Sequence, residues 1–272
     1  MKFSVLMSVY RNDKPEDFRT AVESVTIRQT LQPDEVVLVV DGPVPERLQS
    51  TIKELEREIP SIKPIWLEKN GGLGSALRIG MEYASNKIVA RMDADDISEP
   101  DRFAKQIEFL EKNKGISIVG GQIDEFIGEI SNIVGNRKVP SEHKNIYKML
   151  KSRCPFNHVT VTFRRSDVLS VGNYIDWHFN EDYYLWIRMA LAGLKFANLD
   201  EVLVNVRVGN EMYIRRGGWK YFKSEEGLQR YMLQRGLISL PRYLFNTTGR
   251  FVIQVAVPNS FRSWIYQTFF RK

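Results

Sequence analysis

Three carboxylates stand together where a short apolar run ends, as Ile88-Val-Ala-Arg-Met92 leads directly into Asp93-Ala-Asp-Asp96. Asp93, Asp95 and Asp96 repel one another, and each needs water, a cation or a donor at close range. An oxygen-only cluster of this kind suits Mg2+ or Mn2+, which take one or two carboxylates and complete their shells with substrate phosphates. It also suits a solvated turn, because Asp is common between a strand and a helix. The stretch alone leaves both readings open. The three histidines (His143, His158, His178) and the single cysteine, Cys154, are scattered without zinc-ligand spacing.

Three further stretches could carry chemistry. Asp41 closes the run Glu35-Val-Val-Leu-Val-Val40 and could accept hydrogen bonds from a base or ribose, although Asp-Gly-Pro is also a common turn. Asn70-Gly-Gly-Leu-Gly-Ser-Ala76 opens a helical pattern, and its glycines would let backbone amides approach a phosphate. No Gly-Lys-Ser/Thr follows, so it is not a P-loop, and its place after the third strand does not fit a dinucleotide fingerprint. Glu181-Asp182 starts a strong helix in which Leu185, Trp186 and Met189 share a face with Asp182. A carboxylate there could serve as a general base for a hydroxyl, or simply complement the helix dipole.

The elements that must position these residues alternate. Strand patterns at 3–9, 35–40, 62–67, 88–92 and 116–119 are separated by helical patterns at 15–29, 45–59, 73–84 and around 103–110. This rhythm implies an α/β fold with a mostly parallel sheet covered by helices on both faces. Ligands in such sheets sit beyond the carboxyl ends of the strands, where both Asp41 and Asp93 lie. Pro64 places the 62–67 strand near an edge. From Gln122 to Asn136 the pattern loosens into short antiparallel strands. A small helix at 143–151, a strand at 159–163, the 181–192 helix and a strand at 202–208 follow.

Composition sets the outer bounds. A hydrophobic content of 43% supports a sizeable core, and the lone cysteine rules out an internal disulfide framework. The N-terminal apolar run is short and reads as a first strand rather than a secretory signal, and no run approaches membrane-spanning length. A cytoplasmic protein is expected. The net charge of +6 is modest, but from Gly227 to Lys272 there are seven basic residues and no acidic one. Tyr231, Tyr243, Phe245, Phe251, Phe261, Trp264, Tyr266, Phe269 and Phe270 are interleaved with them. This tail could pack on the main domain, attach to an anionic membrane surface or bind single-stranded nucleic acid, for which no motif speaks. The expected organisation is residues 1–120 as a ligand-binding half, 121–225 as a second half of the same domain, and 226–272 as a basic aromatic extension.

Taken together, Ser4-Val-Leu-Met-Ser-Val-Tyr-Arg-Asn12, Asp34–Gly42, Asn70-x-Gly-Leu-Gly, Ala90–Ser98 with Pro100-Asp-Arg-Phe103, and Glu181-Asp182 with Trp186 and Arg188 resemble the family 2 glycosyltransferases of the GT-A fold. Val206-Arg-Val-Gly-Asn with Arg215-Arg-Gly-Gly resembles the subgroup that includes amylovoran biosynthesis enzymes. The resemblance implies a Rossmann-like GT-A domain with a small antiparallel acceptor-side sheet, and an inverting, metal-dependent enzyme. A nucleotide-sugar donor, with UDP-sugar the expected form, would give its sugar to a hydroxyl of a surface or capsular polysaccharide or a lipid-linked oligosaccharide.

Carried over by position, Ser8, Val9 and Tyr10 would line the nucleoside pocket and Asp41 would contact the base. Asn70 and Gly72 belong to the donor-binding glycine segment. Asp93 would reach the ribose or the metal shell, Asp95 would bind Mn2+ or Mg2+, and Asp182, beside Glu181, would be the base. Arg188 and Arg207 would steady the diphosphate or the base. Two departures stand out: Ala76-Leu-Arg78 replaces the family's Ala-Arg-Asn, and Val208-Gly209 stands where a histidine is common, leaving a phosphate contact to Arg215 or Arg216. The rival readings are a sugar-1-phosphate nucleotidyltransferase, which would want a glycine-rich loop after the first strand, and an inactive nucleotide-sugar-binding scaffold.

Overall fold

The computed structural model describes residues 1–209 and 218–257. Strand and helix alternate through β1 (Phe3–Val9), α1 (Pro15–Val25), β2 (Glu35–Val40), α2 (Glu46–Glu58), β3 (Ile62–Trp66), α3 (Leu73–Tyr83) and β4 (Ile88–Met92). β2 is buried at every position, as its β-branched run requires of a strand covered on both faces. β3, with Pro64, takes the sheet edge. The order β3-β2-β1-β4 is parallel throughout, and β4 lies on the opposite side of β1 from β2. Strand order therefore reverses at β1, and a crevice opens at the carboxyl ends of β1 and β4.

The chain continues through β5 (Ile97–Ser98), α4 (Arg102–Lys112), β6 (Ile116–Phe126), β7 (Ile133–Arg137), α5 (His143–Leu150), β8 (Thr162–Arg164), α6 (Arg165–Ser170), α7 (Glu181–Leu191) and β9 (Lys195–Arg207). The expected antiparallel strands join the parallel ones in a single mixed sheet, β3-β2-β1-β4-β8-β6-β9-β5, with β7 on β6. β6 is longer than its apolar run implies. It continues through Gly120, where a Cβ would come within 2.4 Å of Asn198 Oδ1 on β9, so the glycine reflects close strand approach and not a loop. The strand expected over 159–163 is shorter. Residues 158–160 form a 3-10 turn, closed by the Thr160 amide and hydroxyl donating to Asn157 O.

Alternate residues of the strands feed two apolar cores. Val5, Met7, Leu38, Ala90 and Met92 face α1, α2 and α4, whereas Leu6, Val37, Val39 and Val89 face α3 and α7. Strand periodicity puts Arg91 and Asp93 on the second face with Val89.

Among the described residues the α-helices that follow are α8 (Trp219–Gln234) and α9 (Leu240–Phe251), the latter running on into a π-helical turn over Val252–Ala256. α8 runs across the expected boundary at residues 225 and 226 and buries Leu228 and Met232 in the second core. α9 is tied to the loop after α5: Asn246 Nδ2 donates to Lys151 O at 2.9 Å, and Arg250 pairs with Glu225 and donates to Ser152 O. This part of the tail packs on the domain. Arg215, Arg216, Phe261, Trp264, Tyr266, Phe269 and Phe270 lie outside the described residues.

At the opposite end of the sheet, buried Glu35 accepts from Ser4 Oγ (2.6 Å), Ser85 N (2.6 Å), Ser85 Oγ (2.8 Å) and Lys63 Nζ (2.7 Å). Burial pushes its carboxyl up, but the donors of Lys63, Ser4 and Ser85 outweigh it and bring the pKa from 4.5 down to about 2. A depressed folded-state pKa gives stability that is present above the unfolded value and lost as pH falls from there through the folded value. Acid titration should therefore erode this contribution between pH 4.5 and about 2. Glu35→Ala should cost about 2–3 kcal/mol at pH 7 by leaving buried donors unmet. Urea denaturation of both chains checks this, and equal midpoints would contradict it.

Candidate active site

The carboxyl end of β4 is built around a buried cation. Arg91 is 2% exposed, and its guanidinium makes a two-pronged pair with Asp93: Nη1 donates to Oδ2 at 2.7 Å and Nη2 to Oδ1. Burial pulls Arg91 toward deprotonation, but the charge and hydrogen bonds of Asp93, with the charge of Asp96, prevail and its pKa is raised. Behind it, fully buried Arg102 donates to Arg91 O at 2.7 Å and fixes the strand end. Burial and the neighbouring Arg91 lower the Arg102 pKa to about 9.

The carboxylates that follow have separate environments. Asp93 is committed to Arg91. Asp96 is buried, and its Oδ1 accepts from the Arg207 amide at 2.8 Å, so it locks the end of β9 onto the turn. Asp95 is an exposed residue of the turn, yet desolvation of its carboxyl, followed by the charge of Asp93, raises its pKa to about 6. Asp13, after β1, belongs to the same group. Its pKa rises to about 7, first through burial and then, against a hydrogen bond from the Tyr10 amide, through the charges of Asp95 and Asp93. Arg207 reaches this turn as well, with Nε donating to Asp95 O at 3.2 Å and Nη2 lying 3.1 Å from Asp17 Oδ1.

Glu181 and Asp182, in the first turn of α7, occupy the other side of the same cavity. This cavity has a volume of about 770 Å3, and Arg91, Asp93, Asp96, Cys154, Glu181 and Asp182 all line it. Burial, then the charge of Asp182, raises the Glu181 pKa to about 7. Asp182 is also raised by burial, against donors from the Tyr183 amide and from Cys154, whose Sγ lies 3.5 Å from Oδ2. Arg91 draws both carboxylates down. α3 approaches this helix start closely: a Cβ at Gly74 would lie 3.2 Å from Glu181 Cβ and 3.3 Å from Asp176 Cα. Asn246, Gly249 and Arg250 of α9 complete the wall.

The remaining residues fall into two groups. Ser8, Val9 and Tyr10 form the carboxyl end of β1, and Val9 O accepts from the Asp41 amide at 2.8 Å. Asp41 is buried and serves the glycine segment: Oδ1 accepts from Gly71 N at 2.7 Å, and Oδ2 from Gly72 N at 3.0 Å and Asn70 Nδ2 at 2.9 Å. The amides of Gly71 and Gly72 thus turn toward Asp41 and not toward a phosphate. Arg188 corrects an expectation. Nη1 donates to Val171 O at 2.5 Å and Nη2 to Asn173 O at 2.7 Å, so it anchors the loop before α7 and does not line the cavity.

Residues 4–172 match the family described as glycosyl transferase family 2. The chain belongs to glycosyl transferase family 2. It is 43% identical over its whole length to a glycosyltransferase of Haemophilus influenzae. It is 39% identical to the amylovoran biosynthesis glycosyltransferase AmsE of Erwinia amylovora, over 94% of this chain and 96% of that one. It is 36% identical to a UDP-Gal:alpha-D-GlcNAc-diphosphoundecaprenol beta-1,3-galactosyltransferase of Escherichia coli, over 100% of this chain and 97% of that one.

Among solved structures, S. aureus TarS 1-349 with UDP-GlcNAc superposes with a TM-score of 0.68 at 16% identity, covering 93% of this chain and 73% of that one. The Pyrobaculum calidifontis mannosyltransferase PcManGT, solved with GDP-Man and Mn2+, gives 0.63 at 15% identity, covering 98% and 79%. The fold is GT-A, as the resemblance implied, and the nucleotidyltransferase reading falls away.

A divalent cation fits the donor set in one way only. No group of three ligating side chains converges among the described residues. Asp95 does offer an exposed carboxylate, whose pKa is raised first by desolvation and then by the charge of Asp93. One or two carboxylates plus substrate phosphates is a usual Mg2+ arrangement.

Arg91→Met should lower the unfolding free energy by about 2–3 kcal/mol, less than the roughly 3–5 of a fully buried pair because Asp93 is partly exposed. Adding Asp93→Asn should recover part of the loss. Urea denaturation of the single and double variants measures both, and an unchanged single variant would contradict the pairing.

Proposed function

We propose that the chain is an inverting glycosyltransferase moving a sugar from a nucleotide-sugar, expected to be a UDP-sugar, to a hydroxyl of a surface polysaccharide or lipid-linked oligosaccharide. The observation that carries this reading is the shared cavity, which Asp93 and Asp96 of the β4 carboxylate turn line together with Asp182. The nucleoside would lie across the carboxyl ends of β1 and β2, against Ser8, Val9 and Tyr10. Asp41 would act there by holding Asn70 and Gly72 in place, with base contact left to its remaining lone pairs. Asp95, with Asp93 sharing its charge, would hold Mn2+ or Mg2+. Such an ion, when bound, neutralises the charge that develops on the departing diphosphate.

The chain's own residues supply the other half of the reaction. Asp182 accepts the proton of the acceptor hydroxyl as its oxygen bonds to the anomeric carbon, while the bond to the diphosphate breaks on the opposite face. One displacement with one base inverts the anomeric centre. Asp182 and Glu181 both titrate above the ordinary carboxylate range, Glu181 at about 7. A base acts only when deprotonated, so transfer should rise with pH toward neutrality and fall in acid.

Residues of α9 suggest where an acceptor carrying a lipid would approach. Leu240, Leu244 and Phe245 are exposed beside Arg242, and Phe245, 75% exposed, also lines the cavity. We assign this face to an anionic membrane surface, where apolar groups and basic charge act together. No helix among the described residues is long and apolar enough to cross a membrane.

Asp182→Asn should reduce transfer by roughly 10²–10⁴-fold while nucleotide binding persists. Nucleoside diphosphate release from a panel of nucleotide-sugars, measured with Mn2+ and with a chelator, checks both base and metal. Full transfer by Asp182→Asn would overturn the base, and chelator-insensitive turnover the metal. Leu240→Glu with Leu244→Glu should abolish co-sedimentation with vesicles containing phosphatidylglycerol, and unchanged binding would overturn the membrane assignment.

A further inference from the structure

The loop before α7 holds one aromatic ring in a position that folding does not explain. Phe179 has φ +55°, in the left-handed region that costs a residue with a Cβ free energy, and it is 53% exposed. Its neighbours are all engaged. Trp177 Nε1 donates to Ser224 O at 3.0 Å, and its ring packs on Tyr184 at 4.5 Å. His178 O accepts from Ser224 Oγ at 2.6 Å, and the Asn180 amide donates to Trp177 O at 2.7 Å.

An apolar residue just before a helix N-cap commonly packs on the residue four positions into the helix. Here Trp177 occupies that place on Tyr184. The Phe179 ring is left beside the His178 ring, 4.3 Å away, and lines the cavity that Glu181 and Asp182 share. Backbone strain clusters at ligand clamps, and an exposed apolar ring in a cavity offers a ligand a surface to pack on.

We propose that Phe179 is the stacking platform for the acceptor's sugar ring, and so a specificity-determining residue of the acceptor subsite. A pyranose has one face rich in C–H groups, and such a face packs on an aromatic ring while its hydroxyls stay free for polar partners. The placement follows from reach. The acceptor hydroxyl must come within hydrogen-bond distance of the base, and no more than about 11 Å of backbone separates Phe179 from Asp182. Leu73, also part of the cavity wall, extends the apolar floor. The proposal rests on Asp182 as base, and through it on the transferase reading.

The test uses the full chain and saturation-transfer NMR with methyl glycosides of glucose, galactose, mannose and N-acetylglucosamine as probes. With aromatic protons irradiated, the C–H protons of at least one glycoside should receive saturation. Phe179→Ala should lose that transfer, whereas Phe179→Tyr and Phe179→Trp should keep it. Phe179→Asn, which tolerates the left-handed backbone, should fold at least as stably as wild type and still lose binding, separating a packing role from a ligand role. Where turnover is measurable, Phe179→Ala should raise the acceptor KM about tenfold, the scale of one aromatic contact, with donor KM unchanged.

Saturation unaffected in Phe179→Ala, no glycoside bound by wild type, or donor and acceptor KM rising together would each overturn the platform. Glycoside binding that depends on Phe179, without sugar transfer from any donor, would retain the platform and reject the transferase reading.

Discussion

A guanidinium buried at the end of a parallel strand governs the arrangement of this molecule. Taking such a charge out of water costs several kcal/mol, and only close, well-aligned counter-charge offsets it. Arg91 finds that in Asp93, two residues along the same strand face. Its field also lowers the carboxyls of Asp95, Asp96, Glu181 and Asp182. Without that cation, Asp93, Asp96, Glu181 and Asp182 would face one another around a single cavity. At an effective dielectric near 20, each like-charge pair about 4 Å apart would cost about 4 kcal/mol.

The arrangement divides labour among residues of one chemical type. Asp93 is spent on Arg91, Asp96 on the β9 backbone and Asp41 on the glycine segment, so three of the conspicuous acids hold geometry. Asp95 and Asp182 stay open to the cavity or solvent with raised pKa, the state in which a carboxylate can bind a cation or take a proton. α8 and α9 then close the side of the cavity where an acceptor would enter. The tail is thus part of the site's wall as well as its candidate attachment to a membrane.

Much of this was legible in the sequence. The β-branched run before Asp41, the proline in β3 and the apolar stripes of α1 to α4 specified the parallel half, because each signal is local. β6 and the 158–160 turn were misjudged where tertiary contacts decide: Gly120 reads as a loop residue unless Asn198 is known to lie against it. Among site residues, Arg91 had a signal that could have been read, since an arginine inside an apolar strand, two residues before an aspartate, shares its face. Asp13, the thiol of Cys154 and α9 carried no such signal, because only the folded chain brings Asp13 to the Asp93–Asp95 turn and the other two to the cavity. Arg188 shows the converse: its place in the sequence is close to Asp182, but its helical phase turns it to the loop behind, where it donates to Val171 O and Asn173 O.

The most direct test of a single displacement with Asp182 as base is the configuration of the product. Proton NMR of the transferred sugar, compared with the donor's anomeric signal, reads it in one experiment. An inverted anomeric centre is the expected result. Retention would require a second nucleophile or a different reaction course, and would contradict the mechanism derived from this cavity.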